Sequence, residues 1–80
     1  MMISCLKCKK CNTIIYSRTR HDFRYCECRS CFVDGGQEYF RYGGNIEDFE
    51  AVQMDLDVER KELSHDYNYD LNHYGLIKNF

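Results

Sequence analysis

Cysteines at positions 8, 11, 26, 28 and 31 constrain this chain more than any other feature. Cys8-Lys9-Lys10-Cys11 opens the stretch and Cys26-Glu27-Cys28-Arg29-Ser30-Cys31 closes it, running on into Phe32-Val33-Asp34-Gly35-Gly36. Two close cysteine groups joined by a short polar and aromatic segment can meet with a single loop closure. They then offer four thiolates to the corners of a tetrahedron, the arrangement of a structural Zn²⁺ site. At 80 residues the chain holds one domain with a small core, for which a metal or cross-links are the usual supplement.

Six cysteines would fit disulfides in a secreted chain. Here Met1-Met2-Ile3-Ser4-Cys5-Leu6 runs at once into Lys7, Lys9 and Lys10, without the apolar centre of a secretory leader. No run is long enough to span a membrane. The expectation is therefore a cytoplasmic protein whose CxxC spacing serves a metal rather than disulfides.

Cys5 also lies three residues from Cys8, but Cys8 and Cys11 make the better knuckle. Asn12 follows them, and asparagine tolerates the positive φ needed just after a second ligand. Cys5 reads as a small, partly buried residue or a spare thiol. Thr13-Ile14-Ile15-Tyr16-Ser17 is β-branched and aromatic and reads as a strand. After a polar turn over residues 18–22, Phe23-Arg24-Tyr25-Cys26 is expected to return antiparallel to it. Strands are also expected at Phe32-Val33 and over residues 38–42, separated by the Asp34-Gly35-Gly36 turn. Asn45-Ile46-Glu47-Asp48 reads as a capped helix start with Ile46, Phe49 and Val52 on one face. Residues 52–58 alternate as a strand does. Residues 64–80 are expected to pack loosely or to order on a partner.

The fold class expected is small α+β: a zinc ribbon of short antiparallel strands with a helical element and a C-terminal extension. The boundary falls at Gly43-Gly44, giving a core over residues 1–44 and an acidic, tyrosine-bearing extension over 45–80. Residues 1–43 carry eight Lys/Arg against four acids, and residues 44–80 nine acids against three Lys/Arg, within a net charge of −2.

Spacing alone offers two ligand sets. Cys8, Cys11, Cys28 and Cys31 form two CxxC pairs, whereas Cys8, Cys11, Cys26 and Cys28 use a tighter CxC knuckle; spacing leans to the first set. The run CxxC-N-T-I-I-Y-S, then R-H-D-F, C-x-C and V-D-G-G-x-x-Y-x-R-x-x-G resembles a group of small zinc-ribbon-like proteins of bacteriophages and their Firmicute hosts. The likeness covers residues 8–50. It implies the ligands Cys8, Cys11, Cys26 and Cys28, with Cys31 in reserve; Arg29 departs from the pattern, which has glycine there. It implies no activity.

Four thiolates close the coordination sphere, so the metal is expected to hold the fold rather than to catalyse. His21-Asp22 is expected to cap a turn, since neighbours on a strand point to opposite faces. No enzyme and no small-molecule substrate are expected. The function expected is inhibition or modulation of a host protein, for example a defence nuclease or transcription machinery, through an acidic surface. Asp55, Asp57, Glu59, Glu62, Tyr67 and Tyr69 are its candidate contacts, and its phage setting comes from the resemblance alone. The alternative is nucleic-acid binding through Arg18, Arg20 and Arg24, which with Arg29 lie among Tyr16, Phe23 and Tyr25.

Overall fold

The strand that organises the molecule, β1 (Met2–Cys8), lies in a stretch the sequence reading left without secondary structure. In this computed structural model, which describes residues 1–78, β1 pairs on one side with β6 (Phe49–Asp55) and on the other with β2 (Ile14–Ile15). β7 (Leu76–Ile77) completes an antiparallel sheet in the order β6-β1-β2-β7. A second antiparallel sheet is made of β3 (Arg24–Tyr25), β4 (Cys31–Asp34) and β5 (Arg41–Gly44), in that order. A 3₁₀ turn over Ile46–Asp48 precedes β6, and one helix, α1 (Arg60–Asn68), follows it.

Side chains on a strand alternate between faces, and β1 buries both. Leu6 and Cys8, with Ile15, Leu76 and Phe49, pack against Cys26, Cys31 and Val33 of the smaller sheet. Ile3 and Cys5, with Ile14, Val52 and Met54, pack against Val58 and Leu63 at the helix. The layers are therefore helix, larger sheet, smaller sheet. Fully buried aliphatics such as Ile3, Leu6, Ile15, Val33 and Leu63 stabilise by roughly 1.5–3 kcal/mol each. Ordering each backbone residue costs about 1–2 kcal/mol, so so few of them leave little surplus.

Several expectations are corrected. The hairpin of residues 13–17 with 23–26 does not form, because β2 is buried on both faces between β1 and β7 while β3 belongs to the other sheet. The intervening turn steers the chain between sheets. Ser17 Oγ donates to the carbonyls of Thr19 and Asp22, and accepts from the Gly36 amide at 2.8 Å. Gly36, at φ +65°, lies against Thr19 so closely that a Cβ would stand 2.7 Å from its carbonyl carbon. The strand expected over 38–42 begins at Arg41, and the one over 52–58 runs from Phe49 to Asp55. Ile46 is 80% exposed rather than sharing a buried face with Phe49.

The β1–β6 ladder runs from Met2↔Asp55 to Cys8↔Phe49 and so joins residues 1–44 to 45–80 within one sheet. Residues 60–68, partly within the stretch expected to pack loosely, form α1, capped reciprocally by Glu59 and Glu62. Positions 79–80 of that stretch lie outside the described residues. Where β2 ends, a side chain continues the ladder. The Gln37 amide accepts from the Ser4 N–H at 2.6 Å and donates to the Ser4 and Ser17 carbonyls, each at 3.2 Å.

Candidate metal centre

Both cysteine loops close on the same frame. In the first, Cys8 N–H donates to Thr13 O at 2.9 Å and Asn12 N–H to Cys8 O at 3.0 Å. In the second, Cys26 N–H donates to Cys31 O at 3.1 Å and Arg29 N–H to Cys26 O at 3.0 Å. The residue after the last cysteine is left-handed in each, Asn12 at φ 60° and Arg29 at φ 62°. CxC is one residue shorter than CxxC, so the second loop returns to the same frame over three residues rather than four. The second loop is also the turn between β3 and β4, and the first is the exit of β1. Packing of the two sheets therefore brings the loops together.

The Sγ atoms of Cys8, Cys11, Cys26 and Cys28 lie within 4.8 Å of one another. Cys28 Sγ is 3.6 Å from both Cys8 Sγ and Cys26 Sγ. Zn–S bonds of about 2.3 Å in a tetrahedron set sulfurs roughly 3.8 Å apart, so the donor set suits zinc in number, softness and spacing. Ser30 Oγ stands 3.0 Å from Cys28 Sγ and 3.2 Å from Cys8 Sγ, and Thr13 Oγ1 2.9 Å from Cys11 Sγ. Hydroxyls of this kind fix the orientation of metal-binding thiolates. Burial pushes the Cys11 thiol up, but hydrogen bonds from Thr13, the Cys28 backbone and the Cys8 and Cys28 thiols outweigh it and bring it to about 6. A thiol shifted in this direction is readier to give up its proton, as a metal ligand must.

Cys31 is not one of the four. It takes the place in the second loop that Thr13 takes in the first, and β4 buries it in the core. Burial first, then Cys26 and Cys8 beside it, push its thiol well above the ordinary range. Cys5 is fully buried under the helix, and burial raises its thiol to about 11.

The arginines proposed for nucleic acid are dispersed. Arg18 is buried: Nε meets Asp22 Oδ2 at 2.8 Å, Nη1 meets Asp66 Oδ2 at 2.7 Å, and the Tyr67 ring covers it. Arg24 is half-buried against Gly75, with Asp22 3.5 Å from Nε. Of the three, Arg20 alone is exposed, and its guanidinium lies 4.8 Å from the Tyr39 ring centroid. These arginines are distributed this way because residues 17–22 form the crossing between sheets, where buried carboxylates demand cations.

The acidic set also divides. Asp55, Asp57, Glu59 and Tyr69 are exposed. Glu62 is half-buried, closing the helix cap and accepting from Tyr74 Oη at 3.1 Å, and Tyr67 Oη donates to the His21 carbonyl. The last two hold the fold together and are not free contacts. Asp22 closes the turn by accepting from Arg18 N–H at 2.9 Å, while His21 is exposed.

Sequence reasoning named Phe23 and Tyr25 as stacking groups but missed the face they form with Phe32. Tyr25, Phe32 and Gly43 are register partners across β3, β4 and β5, on the side of the smaller sheet away from the core, and Phe23 packs beside them. The signal was present as alternation within Phe23-Arg24-Tyr25 and Cys31-Phe32-Val33. No curated protein and no solved structure matches this chain. A family model described as "Domain of unknown function (DUF7695)" matches residues 1–44, both cysteine loops and the smaller sheet entire. The chain belongs to that family.

Proposed function

We propose that Cys8, Cys11, Cys26 and Cys28 hold one structural zinc ion, and that the chain is a zinc-ribbon-type binding module rather than an enzyme. The convergence of these four sulfurs within 4.8 Å carries the reading. Four thiolates fill a tetrahedral zinc and leave no position for a substrate or an activated water. Around a divalent ion they carry a net charge of −2, which the exposed Lys9, Lys10 and Arg29 in the two loops offset. Against general acid–base chemistry, the Asp22 carboxylate faces Arg18 in the interior while the neighbouring His21 lies outside. The acidic residues carry less of the case for binding, since Glu62 and Tyr67 are engaged within the fold. The exposed aromatic face, mounted on the second cysteine loop, carries more.

Metal content of the purified protein tests the reading. One zinc per chain is expected, lost with Cys26→Ser and kept with Cys31→Ser. Loss with Cys31→Ser alone would assign the two-CxxC set, and thiols paired with one another in place of bound metal would end the zinc reading.

A further inference from the structure

We propose that the outer face of the β3-β4-β5 sheet is a stacking platform for a single-stranded nucleic acid. The proposal rests on the zinc reading, because the platform grows directly from the second cysteine loop.

Phe23 and Tyr25 are 49% and 47% exposed. Phe23 stacks on Phe32 with centroids 5.0 Å apart and planes 18° from parallel, and Tyr25 meets both rings edge-on at 5.3 and 6.0 Å. On the third strand the partner is Gly43, and a Cβ there would stand 2.5 Å from the Phe32 ring. Glycine thus lets the ring lie across the sheet with no side chain over it. Three rings gathered at the surface contribute less to the core than they would inside, so their position asks for an external partner.

Arg29 is the second, independent observation. Its φ of 62° is a conformation that disfavours any residue with a Cβ, yet the position holds an arginine whose guanidinium sits 5.6 Å from the Tyr25 ring centroid. A strained residue at an exposed aromatic cluster points to a functional demand for its side chain.

The local charge selects the occupant. The acids at this sheet are neutralised in place: Asp34 by Arg41 at 2.8 Å, and Glu27 by Lys78. Among the described residues Arg29 makes no ion pair, which leaves a cation beside the Tyr25 ring. Helix α1, in which Arg60 and Lys61 balance Glu62 and Asp66, lies across the larger sheet, on the far side of the molecule. Rings that accept any base face, with cations for the phosphates between them, are the recognition chemistry of single strands. A duplex hides its base faces and offers these rings nothing to stack on.

The test uses the full-length, zinc-loaded chain and fluorescence anisotropy. The probes are labelled oligo(dT) and oligo(rU) of about 12 nucleotides and a duplex of the same length. Expected is binding of single strands over duplex, weakening steadily between roughly 50 and 200 mM salt. Phe23→Ala and Tyr25→Ala should each weaken it by about 5- to 100-fold. Arg29→Gly separates binding from folding: binding falls, while the melting temperature stays or rises because glycine suits that backbone. Equal binding of both oligonucleotides means that stacking and phosphate contacts suffice; preference for oligo(rU) assigns RNA as the ligand. A folded preparation with one zinc per chain that binds neither strand overturns the platform, as does equal binding of duplex or indifference to all three substitutions. A preparation lacking zinc that still binds through these side chains overturns the metal reading alone.

Discussion

Chelating the zinc proposed for the four-cysteine site is expected to unfold the chain at neutral pH and room temperature. The apparent binding free energy of structural zinc at such sites is about 10–16 kcal/mol. Whole domains are stable by only about 5–15 kcal/mol, and small ones fall toward the lower end. Cys8 and Cys26 are buried among Leu6, Ile15 and Val33, so the site is part of the core rather than attached to it. Loss of the far-ultraviolet circular dichroism signal, in step with one equivalent of zinc captured by a colorimetric indicator, is the expected record. A metal-free protein that keeps a cooperative melting transition would show that the core suffices alone. Acid should act in the same direction, because each thiol must lose its proton to bind metal.

The second large effect lies far from the cysteines. Asp66→Ala should destabilise the protein by about 3–5 kcal/mol, the usual cost of leaving one partner of a buried ion pair behind. Asp66 receives Arg18 Nη1 at 2.7 Å, His73 N–H at 2.9 Å and Tyr74 N–H at 3.1 Å. It thereby fastens the crossing turn, the helix and the entry to β7 to one carboxylate. Burial pushes that carboxyl up, but Arg18 and the two amides outweigh it and hold it below the usual range. A carboxyl depressed on folding stabilises above its unfolded pKa of about 3.9. That contribution is lost as the pH falls through the lower folded value. Because acid also releases the thiolates' metal, the comparison belongs at neutral pH: chemical denaturation should find Asp66→Asn less stable than wild type there, and equal stability would deny the carboxylate its role.

How far the sequence could be read depends on where the information sits. The cysteine cluster was legible because its members are close in sequence, but spacing leaned to Cys28 with Cys31, and only the resemblance pointed to the Cys26 and Cys28 that the fold brings to Cys8 and Cys11. Asn12 was legible for the same local reason. β1 was not, since its cysteines drew attention as ligands while Cys5 and Cys8 also alternate with apolar neighbours on two buried faces. α1 escaped because one of its two buried positions is Asp66, so no apolar stripe marks it. That carboxylate is tolerated inside only because Arg18, 48 residues away, meets it. No local pattern announces such a pair, and the same pairing made Arg18 look like a surface cation.

The ladder between β1 and β6 has a consequence for synthesis. Both cysteine loops are complete once Cys31 has been made, but β1 has no partner along its other edge until β6 is finished at Asp55. A nascent chain can therefore take up metal while the larger sheet is still half-built, ordering the loops that flank β1 before its distant partner arrives. Pairings between remote segments are the slow ones, and an unpaired apolar strand is a template for aggregation in the meantime. Cells grown in zinc-poor medium should accordingly yield the protein mainly in the insoluble fraction, and restoring zinc during synthesis should recover more of it than restoring zinc after lysis.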